Sequence, residues 1–132
     1  MAKNHFWIPL TYAPKIPGVR AGTIRQTFRV GRIYGVNDFV AFHGWAGKPY
    51  RSPWSFRTEF FKLETVAPIV IFEWGIMNGL PDMAHERLLW EQMDMFAEKD
   101  GIVPATGEEL GRVLTSYHKI PECGVLAQIL RW

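Results

Sequence analysis

Residues 66–74 read Val-Ala-Pro-Ile-Val-Ile-Phe-Glu-Trp, an apolar run broken only by Glu73. A short run of this kind reads as a buried strand, because both faces of its pleat must be covered. It falls far short of the ~18 residues of a membrane span. The chain has 132 residues, 48% of them hydrophobic, which fits one domain over 1–132 with its own core. That composition excludes a disordered or collagen-like chain. Cys123 is the only cysteine, so no disulfide or cysteine-based metal site can form within the chain. The opening Met-Ala-Lys-Asn-His lacks the layout of a signal peptide, and a cytoplasmic location is expected.

Around that strand the first half of the chain reads as strands and turns. His5–Leu10 is short and aromatic, with Pro9 marking an edge or a strand end. Pro14, Pro17 and Gly18 mark a loop. Residues 23–30 alternate, placing Ile24, Gln26, Phe28 and Val30 on one face and Arg25, Thr27 and Arg29 on the other. A turn at 34–38 leads into a strand starting at Phe39, and 44–53 form a long loop. In the second half, Leu89, Met93, Phe96 and Ala97 recur at helical spacing and predict a helix from Asp82 to Lys99. Thr106 and Glu109 match a capping box for a second helix with the stripe Leu110, Val113, Leu114 and Tyr117. Val125–Trp132 closes the chain as an apolar strand. The order β-β-β-β-α-α-β predicts an α+β domain on a mixed or antiparallel sheet, or a small barrel.

Charge is distributed unevenly. Residues 1–60 carry nine Lys or Arg against two acidic residues, and 61–132 carry six against eleven. Arginine dominates the basic half, which suits planar contacts to phosphates and bases. Two stretches gather candidate binding groups there. Arg25, Thr27 and Arg29 offer guanidinium forks and a hydroxyl at ~7 Å intervals along a strand, with Arg32 just beyond. The loop around Trp45, Lys48, Tyr50 and Arg51 interleaves aromatics with cations, as single-strand and flipped-base sites do. The alternative is that Trp45 and Trp54 only cap the core. The histidines, His5, His43, His85 and His118, show no metal-ligand spacing, and no metal or cofactor is expected. Serine-hydrolase, phosphate-loop and zinc-protease motifs are absent from the sequence.

These residues resemble the ASCH family of the PUA-like superfamily. Gly22–Arg29 is similar to that family's Gly-x-Lys-Thr-x-Thr-Ile-Arg strand, with Gly22, Thr27 and Arg29 in register. Val36-Asn37-Asp38 resembles its Val-Gly-Asp turn, where asparagine tolerates a left-handed backbone. Residues 97–102 with the helix over 106–117 resemble its acidic-Asp-Gly-Phe segment and following helix, and Arg131-Trp132 its closing strand. The resemblance implies a PUA-like β-barrel with two main helices in the C-terminal half. It also implies a basic cleft and an RNA or modified-nucleobase ligand.

One branch of the family hydrolyses N4-acetylcytidine with a lysine, a threonine and a carboxylate. Thr27 and Asp100 match the last two, while Ile24 stands at the lysine position. Binding therefore ranks first. On that reading a single-stranded RNA or a nucleotide is held by Arg25, Arg29, Lys48 and Arg51 on phosphates, Thr27 and Asp100 on a base edge, and Trp45 or Tyr50 stacked. The alternative is a hydrolase, an amidohydrolase or ribonuclease, in which Thr27 and Asp100 work with a cation such as Arg25. A third reading is a basic face that meets an acidic protein partner. No membrane contact is expected, and the oligomeric state is left open.

Overall fold

The computed structural model describes residues 4–46, 48, 51–78 and 87–132. Its elements are β1 (His5–Pro9), a 3-10 turn (Ala13–Lys15), α1 (Ile16–Ala21), β2 (Gln26–Val30), β3 (Phe39–Trp45), β4 (Trp54–Arg57) and β5 (Phe61–Lys62). They continue with β6 (Thr65–Phe72), β7 (Gly75–Asn78), β8 (Arg87–Leu89), a second 3-10 turn (Trp90–Gln92), α2 (Asp94–Asp100), α3 (Gly107–Tyr117) and β9 (Val125–Arg131). The smaller sheet has the order β1-β3-β4, with β5 also on β3, and the larger has the order β2-β9-β6-β7-β8. β1 runs parallel to β3, and the other pairings described are antiparallel.

The apolar run at 66–74 supplies β6, which lies between β9 and β7 inside the larger sheet. Both faces of that sheet are covered. Ile69, Ile71, Ala127 and Ile129 join Met93, Ala97, Leu110 and Val113 from the helical side in one core. Leu130 and Trp132 join Ile8, Val40, Phe42 and Leu63 of the smaller sheet's side in a second. Two cores on two faces explain why β6 reads as continuously apolar, and why β9 is apolar apart from Gln128 and Arg131.

Three sequence expectations are corrected. The expected closed barrel is two sheets. Among the described residues β2 pairs with β9 alone, and Pro9 at the end of β1 has no N–H to give a further ladder. The 3-10 turn and α1 fill the connection between β1 and β2, so a cavity separates those strands instead of hydrogen bonds.

The stretch around Pro14 and Pro17, expected as a loop, is helical. Both prolines occupy first-turn positions, where their missing N–H has no helical partner to lose, and Gly22 closes α1 at φ +81°. The helix expected over 82–99 is largely replaced by β8, the second 3-10 turn and the short α2; its start lies outside the described residues. Tertiary contacts override the local period here. Leu89 pairs with Gly75 on β7, and the Trp90 ring N–H donates to the Glu73 carbonyl at 2.8 Å. The Trp90 ring packs so tightly on α3 that a side chain at Gly111 would run into it.

Local signals elsewhere hold. Thr106 Oγ1 accepts the Glu109 N–H at 3.2 Å, while the Glu109 carboxylate turns to Arg112 instead of closing the box. Asn37 is left-handed at φ 73°, and Asp38 Oδ2 accepts the Gly35 N–H at 2.8 Å. This turn sets the start of β3, since Leu63 also donates its N–H to the Asp38 carbonyl. Asp38→Ala is expected to lower unfolding stability by about 1 kcal/mol, as turn and cap losses do. Urea titration checks this, and an unchanged midpoint would deny the turn its role.

Candidate active site

The open edge of β2 carries the site. Lys15, at the end of the first 3-10 turn, projects its ammonium inward: Nζ donates to Thr27 Oγ1 at 2.9 Å and to Asp100 Oδ1 at 3.1 Å. Thr27 comes from β2 and Asp100 is the last residue of α2, which Gly101 ends at φ +77°. The residues are 4%, 1% and 4% exposed, so these polar atoms sit at the floor of a cavity rather than on a surface. The cavity holds about 490 Å³ between β1, β2 and α3. Leu10, Phe28, Ile102 and Val113 give it apolar walls, and Tyr117 and His118 stand at its mouth.

Burial dominates the electrostatics. It pulls the Lys15 ammonium from 10.5 down to about 8, against the attraction of Asp100 and with help from the nearby Arg29 charge. It pushes the Asp100 carboxyl up, against Lys15 and Arg29. Asp100 also lies at a helix C-terminus, where the peptide dipoles disfavour an anion. Lys15 is what makes a carboxylate tolerable there. A lysine titrating near 8 is an amine within reach of neutral pH, and it touches a hydroxyl.

The structure divides the residues singled out in the sequence into two groups. Thr27, Arg29 and Asp100 line one cavity, and Arg32 joins Arg29 in an adjoining one. Arg25 lies exposed ahead of β2, outside both cavities; its carbonyl accepts the Trp132 N–H at 3.2 Å. Lys48 and Arg51 are exposed on the β3–β4 loop, and Tyr50 lies outside the described residues. Trp45 is half-buried on the smaller sheet, 5.0 Å from the His43 ring and 6.3 Å from Trp54. His43 itself is buried, stacked on Trp54 at 3.8 Å.

Lys15 escaped the sequence reading. Ile24, the position at which the resemblance looks for an amine, packs instead against the core between the sheets. The amine comes from twelve residues before Thr27. Its signal was the i, i+4 spacing of Lys15 and Val19, one buried face of a helix once Pro14 and Pro17 are read as first-turn residues. Among the described residues, no group of three or more His, Cys, Asp or Glu could hold a metal ion, and no helix is long and apolar enough to cross a membrane. Comparison with protein-family models, curated proteins and solved structures gives no match for this chain.

Removing one member of a buried ion pair strands the other charge. Lys15→Met is expected to lose about 3–5 kcal/mol of stability. The double variant Lys15→Met/Asp100→Leu should recover most of it. Chemical denaturation of the three proteins measures this, and equal loss in the single and double variants would show that the pair is not what holds this edge.

Proposed function

We propose that the protein is a hydrolase of small amides, of the N-acylated nucleobase kind represented by N4-acetylcytidine. The observation that carries this reading is one amine in hydrogen-bond contact with both a threonine hydroxyl and a carboxylate at the floor of a small cavity. A threonine is a weak nucleophile until a base takes its proton, and Lys15 is placed to be that base. The ASCH-type amidohydrolases pair the same three side-chain types, and here Lys15 stands in for the lysine absent at Ile24.

Neutral Lys15 takes the Thr27 proton as Oγ1 attacks the acyl carbon. Asp100 holds the amine in place and stabilises the ammonium that forms. That proton then goes to the departing nitrogen, leaving an ester on Thr27. Water, deprotonated in turn by Lys15, cleaves the ester and restores the hydroxyl. The apolar walls limit the water that competes for the site.

Thr27→Val should abolish turnover of N4-acetylcytidine while leaving ligand binding within roughly fivefold, the worth of one hydrogen bond. Lys15→Arg keeps the positive charge but removes the base, and should lower kcat by ~100-fold or more. Because the neutral amine is the active form, kcat/KM should rise with pH and level off above about 8, the Lys15 value. Turnover persisting in Thr27→Val, or a profile flat from pH 6 to 9, would remove these residues from catalysis.

A second reading draws on a different face. On the smaller sheet the exposed Trp7 and Phe60 rings lie 4.9 Å apart, Trp54 is 5.2 Å from Trp7, and the Arg57 guanidinium sits 4.7 Å over Trp54. With Lys48 and Arg51 nearby in sequence, this face suits stacked bases of single-stranded nucleic acid. Three phosphates contacted would give a log–log salt slope of about −2. Titration of a fluorescent single-stranded RNA tests it, and no binding at low salt would end the reading. Thr27→Val should leave such binding unchanged.

A further inference from the structure

A separate cavity of about 300 Å³ lies on the helical face of the larger sheet and shares no lining residue with the Thr27 cavity. We propose that it binds an aliphatic carboxylate of medium chain length, with Arg131 holding the head and the sheet covering the chain. The inference does not rest on the hydrolase reading.

Sheet register gives this cavity one polar and one apolar end. Arg131 of β9 stands opposite Gln26 of β2 on one side and Thr65 of β6 on the other, so one rung carries three polar side chains on one face. The next positions of β6 on that face are Ala67 and Ile69, and Ile129 of β9 stands opposite Ala67. Ile76 of β7 and Leu88 of β8 extend the apolar wall, and Phe96 adds to it from α2. Ile69, Ile76 and Ile129 are each at most 5% exposed, so the apolar end is deep. Thr65 is exposed, which puts the polar rung at the mouth.

Arg131 is held ready for an anion. Its Nε donates to Gln26 Oε1 at 2.9 Å, and the buried Gln26 donates its own Nε2 to the Phe96 carbonyl at 3.2 Å. These bonds fix the guanidinium and leave both of its terminal nitrogens, which have no ion-pair partner among the described residues. Two terminal nitrogens side by side match the two oxygens of a carboxylate. The Thr65 hydroxyl across the rung adds a further donor. Arg131 is the one charged residue that lines this cavity, and a single cation suits a monoanion better than a phosphate dianion.

The walls set the rest of the ligand. From Thr65 to Ile69 the face runs for four residues, ~13 Å along β6. Ala67, the smallest side chain of the wall, lies midway and gives the cavity its depth. A flexible aliphatic chain can follow such a floor, and each methylene it buries strengthens binding by about fourfold. Octanoate has a chain to fill the apolar end, whereas butyrate stays near the mouth.

Calorimetry of the full chain with octanoate (below its micelle-forming concentration), 1-octanol and butyrate tests the site. Octanoate is expected to bind at least tenfold more tightly than either of the others. Arg131→Met should cancel its advantage over octanol, and Arg131→Lys, which keeps the charge but not the fork, should fall between. Ala67→Leu fills the cavity without touching the arginine and should weaken octanoate at least tenfold while the protein stays folded. Thr27→Val, in the other cavity, should leave octanoate binding unchanged. No binding of octanoate, equal binding of octanol, or an affinity indifferent to Ala67→Leu would overturn the proposal. Loss of octanoate binding in Thr27→Val would also overturn it, by placing the ligand in the other cavity. Failure to turn over N4-acetylcytidine would end the hydrolase reading and leave every one of these outcomes as it stands.

Discussion

The buried contact between Lys15 and Asp100 joins two segments that would otherwise have no reason to meet. One is the 3-10 turn leading into α1, the other the end of α2, 85 residues later. Between them lies the edge of β2, which among the described residues pairs only with β9. An ion pair this deep is costly in desolvation, and burial opposes the charge on both partners. It persists because a third group, the Thr27 hydroxyl, accepts from the same ammonium and leaves one fewer donor unsatisfied. Packing alone would favour an apolar plug at this position. The retained polar triad is therefore the feature that distinguishes this edge from the rest of the core.

The surrounding architecture makes such a triad possible. The larger sheet is covered by helices on one face and by the smaller sheet on the other, so its strands lie deep in the protein. Had β1 and β2 hydrogen-bonded to close a barrel, no hollow could exist beside Thr27. The helical connection and Pro9 keep them apart, and the gap becomes the cavity. Fold and candidate chemistry thus share a cause: the place where the sheets fail to join is where polar groups are buried yet reachable.

Electrostatics then grade the cleft along its length. At the floor, Lys15 and Asp100 partly cancel, and desolvation leaves the lysine near 8. Towards β1, Arg29 and Arg32 line the adjoining hollow, where the Arg32 guanidinium lies over the Phe6 ring and Gln128 clasps the Tyr34 backbone. The aromatic face of the smaller sheet has a different character, flat and exposed, and any role it plays in stacking is separate from the triad.

Local sequence determined what depends on neighbours a few residues away. The strands β6 and β9 follow from apolar runs, and α3 from its Thr106 cap and apolar stripe. The Asn37–Asp38 turn follows from side chains that bond their own backbone. The faces of β2, and so the pairing of Thr27 with Arg29, were legible from period two. Tertiary structure decided everything that rests on contacts across the chain. The helix expected from Leu89, Met93 and Phe96 gave way because Leu89 joins β7 and Trp90 packs onto α3. Trp45, read together with Thr27, belongs to another sheet, and Lys48 and Arg51 are exposed beyond it. Lys15 was invisible for the same physical reason. Its meaning comes from a hydroxyl and a carboxylate, 12 and 85 residues away, partners that no pattern of nearby residues encodes.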